Sequence, residues 1–107
     1  GEDVRPLPIL AMGGRGVISV FANVLPKEMH ALAGATLEGR LADARAMTSR
    51  YVDLMNALFM DVNPIPVKAA LNMMGFNCGR CRLPLTDMSA PMLEKLRAAL
   101  GEHVKLA

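Results

Sequence analysis

Most of the chain repeats its apolar residues at helical spacing, but Val17-Ile18-Ser19-Val20-Phe21 does not. There apolar positions follow one another without alternation, which predicts a strand over Val17–Phe21 buried on both faces, as in a parallel sheet covered by helices. Gly13-Gly14 and Gly16 precede it and give the backbone room to turn. Before them, Pro6–Met12 has prolines at its start and Leu7, Leu10 and Ala11 at helical spacing, predicting a short helix.

Beyond the strand the helical period takes over. Pro26 suits a first turn, and Met29, Leu32, Ala33, Thr36 and Leu37 recur until Gly39, predicting a helix near Pro26–Glu38. A longer one is expected over Leu41–Met60, with Leu41, Ala44, Thr48, Tyr51, Val52, Met55, Leu58 and Phe59 on its stripe and Arg40, Asp43, Arg50 and Asp53 outside it. Pro64 and Pro66 fix the start of a helix over Pro66–Met74 that buries Val67, Ala70, Leu71 and Met74 and closes at Gly75. Phe76–Asp87 reads as an extended crossing loop anchored by Leu83 and Leu85 around Pro84. Ser89 then caps a helix over Pro91–Leu100 carrying Leu93, Leu96 and Leu100, stopped at Gly101.

One strand cannot stand alone, because its backbone groups would be left unpaired or adhesive. No second strand is legible, so its neighbours must come from outside these residues or from another copy. The composition agrees: 107 residues hold one modest core, yet the chain is 52% hydrophobic with nine Met and no Trp. Such an apolar excess fits a piece of a larger core or a large oligomer interface. Net charge is only +2, with no Lys or Arg block to grip phosphates, which argues against nucleic acid. No run approaches the ~18 apolar residues of a membrane span, and no export signal is visible, so the expected location is the cytoplasm.

Candidate chemistry is sparse. The glycines precede a strand, whereas phosphate-cradling glycine loops follow one. Cys78 and Cys81 are the only cysteines; they lack a second ligand pair, and His30 and His103 are not at ligand spacing from them, so no metal is expected. Lys27, Lys95 and Lys105 lie in polar helix-surface contexts. Lys68, between Val67 and Ala69, is either a snorkelling surface lysine or a nucleophile. Tyr51 falls on a helical stripe and reads as core.

Gly13-Gly14-Arg15-Gly16-Val17-Ile18-Ser19-Val20-Phe21-Ala22-Asn23-Val24, Asn63-Pro64-Ile65-Pro66-Val67-Lys68-Ala69-Ala70-Leu71 and Arg82-Leu83-Pro84-Leu85, in that order, resemble the C-terminal part of the dihydrodipicolinate synthase family of pyruvate-dependent aldolases. The resemblance implies an α/β fold: the last strand and helix of a (β/α)8 TIM barrel over residues 1–38, then appended C-terminal helices over 39–107, the chain itself being mostly α. A whole barrel needs about 250 residues, so a fragment is implied. It further implies a lyase of lysine biosynthesis that condenses pyruvate with aspartate semialdehyde through a lysine imine, without metal or organic cofactor, as a homotetramer built as a dimer of dimers.

By the same resemblance the catalytic lysine and tyrosine lie N-terminal to Gly1, and no catalytic side chain is carried here. The substrate-binding positions carried over are the backbone of Ile18, facing pyruvate, and, at the mouth, Gly1, with Asp3 beside it; Glu2 stands where the family often has aspartate. Without the resemblance, Ile18 reads equally as core. Two other readings remain: a sister aldolase such as N-acetylneuraminate lyase or a keto-acid aldolase, and a non-catalytic helical oligomerisation module.

Overall fold

The computed structural model describes residues 2–107 and consists of helices α1 (Pro6–Ala11), α2 (Phe21–Val24), α3 (Pro26–Leu37), α4 (Leu41–Ala57), α5 (Ile65–Met73) and α6 (Ala90–Gly101). One compact unit runs to Met55 and a second from Asn56 to Ala107. Among the described residues no helix is long and apolar enough to cross a membrane.

The expected strand over Val17–Phe21 is not present. Residues 14–19 run without helix, turn or bend, and Phe21 opens α2 instead. A strand is defined by the ladder it shares with a neighbour, and among the described residues no backbone hydrogen bond reaches Arg15–Ile18. Local sequence prepares the segment for a sheet, and nothing here completes one.

In the first unit α3 packs on α1 and α2. Its period is as read: Met29, Leu32, Ala35 and Thr36 are buried, and the Thr36 hydroxyl donates to the Leu32 carbonyl at 2.9 Å. Phe21, fully buried, tilts its ring against Tyr51 of α4 at 5.5 Å between centroids. Gly39 terminates α3 at φ +80, where its N–H donates to Thr36 and that of Arg40 to Ala35. The same pair of bonds ends α1 at Gly13 and α5 at Gly75, both also at positive φ. Arg40 then bonds the Glu38 and Asp43 carboxylates, which hold its guanidinium above the usual range; being exposed, the cluster adds little stability.

The long helix α4 ends at Ala57 rather than Met60. Ala44, Tyr51 and Met55 are buried as expected, but Leu54 joins them while Leu41 stays exposed. In the second unit α5 starts one residue early, at Ile65, so Ile65 and Pro66 are buried with Val67 and Ala70, and Leu71 and Met74 only half-buried. Ser89 caps α6 by accepting the Met92 N–H; α6 packs against α5, and its Leu96 and Leu100 are buried. Gly101 does not stop this helix; it is the last helical residue, and Glu102 caps it.

The crossing loop is anchored differently from the sequence reading. Of the two leucines read as anchors, Leu83 is 86% exposed and anchors nothing, whereas Leu85 is half-buried. Polar side chains of α5 hold residues 78–80 instead: Asn72 Oδ1 accepts the Cys78 N–H at 2.7 Å, Asn72 Nδ2 donates to the Gly79 carbonyl at 3.0 Å, and Lys68 Nζ donates to the Arg80 carbonyl at 2.7 Å. Asn72 thereby takes the place of a neighbouring strand's amide.

Two glycines, one within α3 and one just beyond it, are expected to respond oppositely to alanine. Gly34→Ala, mid-helix with nothing within 4 Å of the added Cβ, should stabilise by about 0.5–1 kcal/mol. Gly39→Ala, at positive φ, should cost about 1–2 kcal/mol. Urea unfolding reads both, and equal signs would contradict the capping assignment. For the loop, Asn72→Ala should speed exchange of the Cys78 amide about fivefold; unchanged exchange would mean that the clamp does not hold the loop.

Candidate functional site

The first place to look is the end of the 14–19 segment, where sequence places Ile18. Its side chain is 92% exposed, so the reading of Ile18 as core does not hold for this chain. No other segment among the described residues covers it. Gly1 lies outside the described residues. Glu2 is exposed and pairs with Arg5 at 3.2 Å across one turn.

Asp3 behaves otherwise. It is only 2% exposed, and both carboxylate oxygens are used: Oδ1 accepts the Ser19 hydroxyl, and Oδ2 accepts the Phe21 N–H at 2.8 Å. Ser19 Oγ in turn accepts the Ala22 N–H at 2.9 Å. A buried carboxylate is tolerated only when hydrogen bonds replace its lost hydration, and these bonds provide that. The result is a cap on α2 whose acid comes from 18 residues upstream. No local motif announces it, since an N-cap is ordinarily the residue next to its helix; Ser19, three residues before Ala22, was the one visible sign.

The second place is a groove of about 820 Å³ in the second unit, lined by α5, the crossing loop and α6. Several of its polar groups are already engaged within the unit. Lys68 and Asn72 hold the loop, and Arg80 pairs with Asp87 at 3.3 Å. Lys68 is therefore a loop clamp, a role its sequence position between Val67 and Ala69 did not show. Cys78 and Cys81 are free, half-buried thiols, and among the described residues no three His, Cys, Asp or Glu converge as a metal site. Lys27, Lys95 and Lys105 are exposed, and Tyr51 is buried against Phe21 as read. A nucleophilic amine needs burial or a neighbouring cation, and no lysine here combines that setting with an uncommitted nitrogen.

The first unit thus carries one tightly organised corner, and comparison with known proteins shows which family the chain resembles. The sequence matches the Dihydrodipicolinate synthetase family over residues 1–103. It is 47% identical over 103 residues to the 4-hydroxy-tetrahydrodipicolinate synthase of Acetivibrio thermocellus, covering 96% of this chain and 35% of that protein. The crystal structure of dihydrodipicolinate synthase from Thermotoga maritima superposes with a TM-score of 0.91 at 47% identity, covering 95% of this chain and 35% of that one. A further solved relative, described as a monomeric dihydrodipicolinate synthase variant, gives a TM-score of 0.88 at 46% identity over 95% of this chain and 34% of its own. The chain spans about a third of the length of these relatives, and it belongs to the dihydrodipicolinate synthetase family.

Proposed function

We propose that these residues form the C-terminal part of a lyase that condenses pyruvate with aspartate semialdehyde through a lysine–pyruvate imine, in lysine and diaminopimelate biosynthesis. The observation that carries this reading is the family match over residues 1–103 by a chain that spans only a third of its relatives. Residues 1–38 would close a (β/α)8 barrel, with the 14–19 segment as its last strand, and 39–107 would be the helices appended to it. The unbonded backbone of Arg15–Ile18 supports that placement, because a neighbouring strand is what those groups lack. Barrel strands deliver pocket groups at their C-terminal ends, so the backbone of Ile18 would face pyruvate, with Gly1 at the mouth.

The catalytic lysine and tyrosine would come from upstream, and the chemistry would need no metal or organic cofactor. The lysine imine itself acts as the electron sink that lets the pyruvate methyl carbon attack the aldehyde. Engagement of Lys68 with the loop and exposure of the other lysines support an upstream nucleophile. The intact enzyme carrying this chain, treated with pyruvate and borohydride, should gain one reduced adduct on a lysine upstream of residue 1, and should turn over aspartate semialdehyde. An adduct on the Lys68 peptide, or turnover with N-acetylmannosamine in place of the semialdehyde, would overturn the assignment.

Assembly as a cytoplasmic homotetramer, a dimer of dimers, completes the proposal. One solved relative is described as a monomeric variant, so family membership alone does not set the oligomeric state. Ile9 of α1 and, at 88%, Met12 just after it are exposed, the apolar surface an interface would cover. Met12→Asp should shift the intact enzyme to smaller species in sedimentation while the borohydride adduct still forms. Unchanged sedimentation would remove α1 from the interface.

A further inference from the structure

We infer that Asp3 is a positioning residue for the substrate pocket, acting through Ser19 to set the peptide of Ile18. The inference rests on the lyase reading above. Its basis is the pattern of bonds around the end of the 14–19 segment. Ile18 precedes Ser19, and at Val20 the backbone has already turned helical, with φ −72 and ψ −43. The change of direction therefore happens within one residue of the peptide that would meet substrate.

Three bonds hold that change in place. Ser19 donates to Asp3 and accepts from Ala22, and Asp3 also receives the Phe21 N–H. The anchor is rigid because Asp3 is buried and Phe21, the residue it caps, is fully buried against Tyr51. By contrast, the Ile18 backbone has no hydrogen bond of its own among the described residues, and its side chain is exposed. Of the bonds this chain itself supplies, those of Ser19 and Asp3 lie next to the Ile18 peptide, and they fix the exit of the segment whether or not neighbouring strands pair with its body.

Such an arrangement matches what a backbone recognition group requires. A peptide N–H or C=O cannot be re-aimed by rotating a side chain, so its direction follows the backbone dihedrals of the residues that flank it. A misplacement of about 1 Å in a binding group can cost about 100-fold in rate. The Asp3–Ser19 pair also joins the loop at residues 2–5 to the end of the segment, so both parts of the proposed mouth are set by one carboxylate.

The test uses the intact enzyme carrying this chain, with pyruvate as the probe. Wild type must first form the borohydride-trapped pyruvate adduct; if it does not, the lyase reading fails and this inference falls with it. With that adduct in hand, Asp3→Asn and Ser19→Ala should each raise the KM for pyruvate about tenfold or more, in protein whose folded fraction is established by circular dichroism. Ser19→Thr, which keeps the hydroxyl, should restore wild-type KM. The double variant Asp3→Asn/Ser19→Ala should be no worse than the poorer single one, because the two act as a unit. If Asp3→Asn does not fold, Ser19→Ala and its threonine rescue decide alone. A pyruvate KM unchanged in Ser19→Ala, with only the melting temperature lowered, would reduce the pair to a helix cap and overturn the inference.

Discussion

A buried carboxylate with both oxygens bonded organises the first unit. Asp3 joins the start of the chain to Ser19 and Phe21, and so decides where the 14–19 segment ends and where α2 begins. A four-residue helix has almost no stability of its own, since nucleation costs more than its few bonds return. It persists here because Asp3 and Ser19 satisfy its first N–H groups and because Phe21 is buried beneath it. Charge-assisted bonds to an acid held out of water are among the stronger polar contacts a protein makes.

The segment preceding that corner shows the opposite condition. Its backbone between Arg15 and Ile18 has no partner among the described residues, although its apolar run is typical of a strand flanked on both sides. Membership of the dihydrodipicolinate synthetase family, together with a span of about a third of the relatives, gives that mismatch a physical reading. An apolar run of this kind is what a strand within a covered sheet carries.

In the second unit polar side chains do what a sheet would do elsewhere. Asn72 offers its amide oxygen and nitrogen to successive backbone groups of the crossing loop, and Lys68 adds a third bond. A lysine whose ammonium is spent on a carbonyl is better described by that bond than by its nearness to apolar neighbours. Pattern alone could not separate the two readings, because a clamp, a snorkelling side chain and a nucleophile all sit beside a helix's apolar stripe.

Sequence by itself determined that the four longer helices exist and where two of them terminate. Apolar spacing marked Met29, Leu32, Tyr51, Met55, Leu96 and Leu100 as core, and Gly39 and Gly75 marked termini, because both signals are local: a 3.6-residue period and a backbone conformation that only glycine adopts freely. The family could also be read from three short motifs. Tertiary structure alone decided the rest. Whether Val17–Phe21 becomes a strand, and whether Ile18 is covered, depends on neighbours that no local pattern contains. The Asp3–Ser19 pair spans 16 residues, and the Lys68 bond to Arg80 spans 12. Contacts at that separation leave no periodic trace, because only the folded path of the backbone brings their atoms together.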